Sequence, residues 1–129
     1  LPDNPLFIDG NAEQLGKSIL FLLNNGMYAI AKKYGKKAYP AEIGLALESK
    51  DGQVVIRLYD NGVGIEQSIL DKIFDPFFTT KTTGEAAGIG LYLSKEIILN
   101  HHGQIAVRSE KDELTEFTIT LPLWEEKSV

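Results

Sequence analysis

The stretch SILFLLNNGMYAIAKK, Ser18 to Lys33, decides how this chain folds. An apolar run is interrupted by Asn24-Asn25-Gly26, among the stronger local turn signals, and then resumes. Either the chain turns there or a helix runs through. The helix would carry three poor helix formers at roughly 2 kcal/mol against alanine, and that cost needs a reason.

Upstream, Asn11 is a suitable cap, and Leu15, Ile19, Leu22, Leu23 and Ile30 fall on one helical stripe. Downstream, Gly35 in KKYGKK is a stop signal. PLFIDG before the helix reads as a short edge strand closed by Gly10. EIGLALESKDGQVVIRLYD reads as a hairpin turning at Lys50-Asp51-Gly52. A short helix at EQSILDKI follows, then FDPFFTTKTTGEAAG, which lacks periodicity and reads as a mobile loop. GIGLYLSKEIILNHHG is a second long helix, apolar on two stripes and so expected to be buried on more than one side. The strands QIAVRS and TEFTITLP close the chain. This is one domain over residues 1–129, an α+β two-layer sandwich with helices on one face of a mostly antiparallel sheet.

With 43% hydrophobic and 24% charged residues the chain can build one ordinary core. A net charge of -5 argues against nucleic acid or a membrane surface as the main partner, since both want a basic face. Phosphate remains accessible through backbone dipoles. The absence of cysteine excludes disulfides and thiolate zinc sites and suits a reducing cytoplasm. No apolar run is long enough to span a membrane. The start LPDNP, without methionine, reads as a fragment of something longer.

Val54, Ile56 and Leu58 alternate onto one strand face, and Asp60 falls on that face too. An inward carboxylate is costly unless donors meet it, although Asp60 has an equal claim to cap the DNG turn through its own side chain. Gly62 and Gly64 allow close approach or positive φ. Gly88 and Gly90 stand where a loop becomes a helix, an arrangement that presents free N–H groups to phosphate. Together with Asn25 on a facing helix, these features point to a purine nucleotide whose amine meets Asp60. Asn25 sits about 60° from Leu22, at the margin of the buried stripe, where its amide oxygen can complete a Mg²⁺ shell. That role is the reason for an unbroken helix; Asn24 points away.

LLNNGMYA, DNGVGI, IFDPFFTTK, GIGLYLSKEII and FTITLP occur in the order and spacing of five sensor histidine kinase motifs, over about Asp9 to Pro122. The chain therefore resembles the catalytic ATP-binding domain of those kinases. The resemblance implies the Bergerat fold, with a mixed, mostly antiparallel sheet and a mobile lid. It implies ATP and Mg²⁺ as ligands, with Asn25 on the metal and Asp60 reading adenine. Gly62 and Gly64 would shape the adenine pocket, the Gly88-Ile89-Gly90-Leu91 backbone would hold phosphates, and Ile65, Leu91 and Phe117 would line the base. Lys81 is implied as a catalytic phosphate contact, against an equal claim to be a solvated loop lysine. Phe77 and Phe78 are anchors for the lid or a docking pair.

Departures from the pattern qualify the activity. Phe21 stands where the kinases carry Asn and the related ATPases a catalytic Glu, which disfavours hydrolysis. Tyr28 replaces a phosphate-facing Lys, for which Lys32 and Lys33 are candidate substitutes; Ala86-Ala87 and Leu114 replace Gly-Thr and Gly. His101 and His102 end a helix beside Gly103, a capping position rather than a phosphoacceptor one. The acceptor histidine is thus expected on a separate dimerisation domain, upstream of Leu1, with a response regulator as onward partner. A degenerate nucleotide-binding regulatory module without phosphotransfer is the alternative. The expected location is the cytoplasm, including the cytoplasmic part of a membrane-bound sensor.

Overall fold

The computed structural model describes residues 5–35, 41–76 and 89–124. Helix α1 covers Ala12–Tyr34 without a break, so Asn24-Asn25-Gly26 is helical. Asn11 caps it by accepting from Gln14 N–H at 3.0 Å, and Gly35 ends it at φ 61°. Strands β1, Ile43–Lys50, and β2, Gln53–Asp60, form the expected hairpin. Asp51 and Gly52 turn it with φ 53° and 76°, two positive values that match the twist of the flanking strands. Helix α2 is only Gln67–Leu70, shorter than EQSILDKI suggests. Helix α3 is Ile89–Asn100, and β3, Gln104–Glu110, and β4, Leu114–Pro122, complete the described elements.

The sheet order is β1-β2-β4-β3, and every pairing among the described strands is antiparallel, so the mixed character implied by the resemblance is not found in them. Val54, Ile56 and Leu58 of β2 meet Phe117, Ile119 and Leu121 of β4 on the inner face. Leu15 and Leu22 of α1 and Ile98 of α3 cover them. Burying such side chains is worth about 1.5–3 kcal/mol each, which outweighs the poor propensity in the middle of α1.

Three expectations need correction. PLFIDG forms no strand; its Phe7 C=O accepts from Trp124 N–H at 2.7 Å. Helix α3 is not buried on several sides, since Leu93 and Leu99 are exposed while Ser94 and Ile98 are buried. The stop after α3 is taken by His102, at φ 63°, rather than by Gly103. Gly103 N–H closes the cap on Ile98 C=O at 2.9 Å and His102 N–H bonds Leu99 C=O at 3.0 Å. Gly103 is needed instead for close approach, because a Cβ there would meet the carbonyl of Thr120.

His101 joins the two long helices at the end of the sheet where β3 begins. Its Nδ1 lies 2.7 Å from Ile97 C=O and its Nε2 accepts Asn11 N–H at 2.9 Å, which assigns the neutral Nδ1–H tautomer. A Cβ on Gly10 would run into this imidazole.

Candidate nucleotide site

The opposite end of the sheet holds a recess lined by Leu22, Leu23 and Gly26 of α1, Ile43 of β1, Leu58, Tyr59 and Asp60 of β2, and Phe117 of β4. Asp60 is its charged member. Strand alternation turns it inward beneath α1, where it is only 5% exposed. Both sequence readings of this residue hold at once: it faces inward, and its Oδ1 accepts Gly62 N–H at 2.9 Å. Burial pushes the carboxyl above its ordinary range, and the Gly62 bond opposes that only in part.

Gly26, the third poor helix former, has a packing reason for its place. It is buried, and a Cβ there would sit 3.1 Å from Ile43 Cδ1 and 3.3 Å from Asp60 Oδ2. Its missing side chain thus leaves a gap in front of the carboxylate. Asn25, one residue earlier, is half-buried on the flank of that gap, and Asn24 is exposed.

The loop after Asp60 is fixed on three sides. A Cβ on Gly62 would lie 2.5 Å from the Ala29 carbonyl carbon, so only glycine lets the loop reach α1. Val63 N–H then donates to Ala29 C=O at 3.3 Å. Gly64, at φ 70°, presses on the Glu110 backbone. Ile65 N–H donates to Ser109 Oγ at 2.7 Å, and Asn61 Oδ1 accepts Glu42 N–H at 2.7 Å. Gly62 and Gly64 therefore place the loop by close contact and are not among the residues that line the recess.

Of the residues proposed from sequence, Asp60 and Phe117 meet in the recess. Ile65 and Leu91 are half-buried against the core and stand outside that lining. Ile89 and Gly90 open α3. Lys81, Gly88, Phe77, Phe78 and Ala86-Ala87 lie outside the described residues. Lys33, one candidate phosphate contact, instead donates from Nζ to the Asp112 carbonyl at 2.5 Å. Phe21 packs against the core.

Sequence reasoning passed over Gly26, Thr115 and Ser109. Thr115 stands opposite Asp60 in the β2–β4 register, and Ser109 opposite Thr115 in the β3–β4 register. Asp60, Thr115 and Ser109 thus form one buried polar row across three strands. The alternation of Thr115 with Phe117, Ile119 and Leu121 was the available signal.

A buried acceptor behind a helix gap, an apolar wall and a glycine-built loop suit a flat base bearing an amine. The chain belongs to the histidine kinase-, DNA gyrase B- and HSP90-like ATPase family, which residues 10–125 match. Within that family it is an ATP-binding catalytic domain of the sensor histidine kinase kind. It is 40% identical over 122 residues to the signal transduction histidine-protein kinase AtoS of Escherichia coli, covering 94% of this chain and 19% of that protein. It is 34% identical over 123 residues to sporulation kinase D of Bacillus subtilis, covering 95% and 22%. The chain thus spans about a fifth of the length of these two relatives. Among solved structures it resembles the catalytic domain of histidine kinase ThkA, with TM-score 0.74, 28% identity, and 93% and 74% of the two chains covered. The mycobacterial sensor histidine kinase MprB gives TM-score 0.75 at 26% identity, covering 92% and 76%.

Proposed function

We propose that this domain binds Mg·ATP with its base in the recess at Asp60 and donates the γ-phosphoryl group to a histidine on a separate dimerisation domain, which then supplies a response regulator. The observation that carries this reading is the buried Asp60 carboxylate, 3.3 Å from the point where a Gly26 side chain would stand. Asp60 reads the amine, Leu58 and Phe117 contact the base, and Gly62, Gly64 and Ile65 set the loop beside it. Gly88 to Leu91 hold the phosphates at the start of α3, with Lys81 as a further phosphate contact. Among the described residues no three His, Asp or Glu side chains gather into a metal site. A magnesium ion here would therefore take the Asn25 amide oxygen together with phosphate oxygens and water, a donor set that suits it.

Phosphoryl transfer asks the protein mainly for charge neutralisation and in-line placement. The imidazole nitrogen attacks the γ-phosphorus and ADP leaves. The domain works in the cytoplasm; no helix among the described residues is long and apolar enough to cross a membrane. The test is to incubate the domain and ATP with the isolated acceptor domain. Phosphohistidine supports transfer, and bound ATP without it refutes transfer.

Phe21 favours a second reading. Its apolar ring packs against the core where the family pattern has a polar group, as a nucleotide-sensing module without transfer would allow. That module binds ATP with little dependence on Mg²⁺. Strong dependence that vanishes in Asn25→Ala excludes it.

A further inference from the structure

Strand β1 lies at one end of the sheet and, among the described residues, pairs with β2 alone. Asn61 N–H donates to Glu42 C=O at 3.1 Å, so the even-numbered residues of this segment bond toward β2. Ladder bonds alternate along an antiparallel strand. The N–H and C=O groups of Ile43, Leu45, Leu47 and Ser49 therefore point outward, along the open edge. Such an edge is a template for another strand, and proteins usually blunt it with charge, proline or a bulge. The stretch Ile43-Gly44-Leu45-Ala46-Leu47 carries no charge and no proline, and its register with β2 is unbroken. Ile43, Leu45 and Leu47 share the inner face with Leu58 and Ile56, yet Ile43 is exposed and Leu45 is 51% exposed. Leu20 and Met27 of α1 are exposed as well. Helix periodicity sets them beyond Leu23, on the side where Gly26 meets Ile43, so they extend the same apolar patch.

We propose that this edge docks a second copy of the chain, the two β1 strands pairing antiparallel about a two-fold axis at Ala46 so that the sheets join into one. Identical strands meeting in this way make an isologous contact. An axis normal to the sheet keeps both helical layers on one side, so inward residues must meet inward residues and the axis must pass through a residue. At Ala46, Leu45 stands opposite Leu47 of the second copy and Ile43 opposite Ser49, and each pair exchanges both backbone bonds. Glu42 then meets Lys50 of the second copy at both ends, and Glu48 meets only Gly44. Centring on Leu45 would set Glu42 against Glu48 twice. Centring on Leu47 would carry Ile43 onto Asp51 in the turn and leave Lys50 without an acid opposite. The strand is thus complementary to itself in charge at one register. The surface does not depend on the nucleotide reading; of these residues only Ile43 and Leu23 also line the recess.

Sedimentation equilibrium measures the association, on the wild type, Leu45→Lys, Glu42→Lys, Lys50→Glu and the double variant Glu42→Lys/Lys50→Glu, with urea melts to show that each is folded. The wild type is expected to dimerise with a Kd below about 1 mM. Leu45→Lys puts an inward charge on the edge and should leave only monomer. Each single reversal sets like charges together at both ends and should raise the dimer Kd by about tenfold. The double variant exchanges the signs and should return to within about threefold of the wild type. A wild type that stays monomeric to about 1 mM overturns the proposal and leaves the edge to a strand from another protein. A dimer that survives Leu45→Lys is built on another surface and overturns it equally. A double variant no stronger than the singles refutes the Ala46 register and the self-complementarity that selects a second copy.

Discussion

Replacing Asp60 by Asn should separate stability from binding. The carboxyl is raised from 3.8 chiefly by burial, against which the Gly62 N–H bond acts. An acid whose value is raised by folding holds its proton longer in the folded state than in the unfolded chain. Folding is therefore favoured most below 3.8 and loses stability as pH rises from there through the folded value. Asparagine keeps an oxygen for Gly62 N–H at the same 2.9 Å and removes the buried charge. The variant should be at least as stable as the wild type at pH 7, with its advantage shrinking toward pH 4. Its amide nitrogen then faces Gly26 and the recess. A charge-assisted bond worth about 1.5–3 kcal/mol is lost, and donor meets donor at a further 1–3 kcal/mol or so. The two effects together weaken ATP by roughly two to four orders of magnitude in Kd. Urea melts at pH 5 and 7, paired with ATP titration, measure both. A variant that unfolds more easily at pH 7, or that binds ATP within about threefold of the wild type, refutes the reasoning.

His102→Gly relieves a left-handed conformation and should add about 1 kcal/mol, read as a rise of roughly 3–5 °C in Tm with ATP affinity unchanged. Gly62→Ala forces a methyl group into the Ala29 backbone and should cost about 1–3 kcal/mol in urea melts while also weakening ATP. His101→Leu strips the exposed Asn11 N–H of its acceptor and should lower stability by about 0.5–1.5 kcal/mol, leaving ATP affinity unchanged. Asn25→Ala should retain metal-free ATP binding but lose the gain from added Mg²⁺, a difference that titration with and without the ion detects.

Helix α1 was legible because periodicity and both caps agreed, so the NNG interruption could be overruled. The hairpin was legible from Lys50-Asp51-Gly52 standing between two alternating runs, and Asp51 and Gly52 carry the positive φ of the turn. PLFIDG misled because alternation predicts a strand only where a partner strand exists, and Phe7 is tied through one backbone bond to Trp124. Gly103 misled because a glycine beside a helix end signals either positive φ or tight approach, and the sequence cannot separate the two. Leu93 and Leu99 carried an apolar signal that the fold leaves exposed. Asp60 was found from its place on an apolar face. Alternation along β4 could mark Thr115 as inward, but its pairing with Asp60 and Ser109 depends on a register between distant strands that no local pattern encodes.

The cross-strand alignment of Asp60, Thr115 and Ser109 makes this buried polar row a property of strand pairing rather than of any one side chain. Slipping β4 by a single position would turn Thr115 toward the far side of the sheet and dismantle that row while leaving most ladder bonds in place. A length change between Thr115 and Leu121 is therefore not tolerable, and the Asp112 bend is held too, its N–H by Val63 C=O and its carbonyl by Lys33 Nζ. Drift within this lineage should alter the interior of that strand only by substitution.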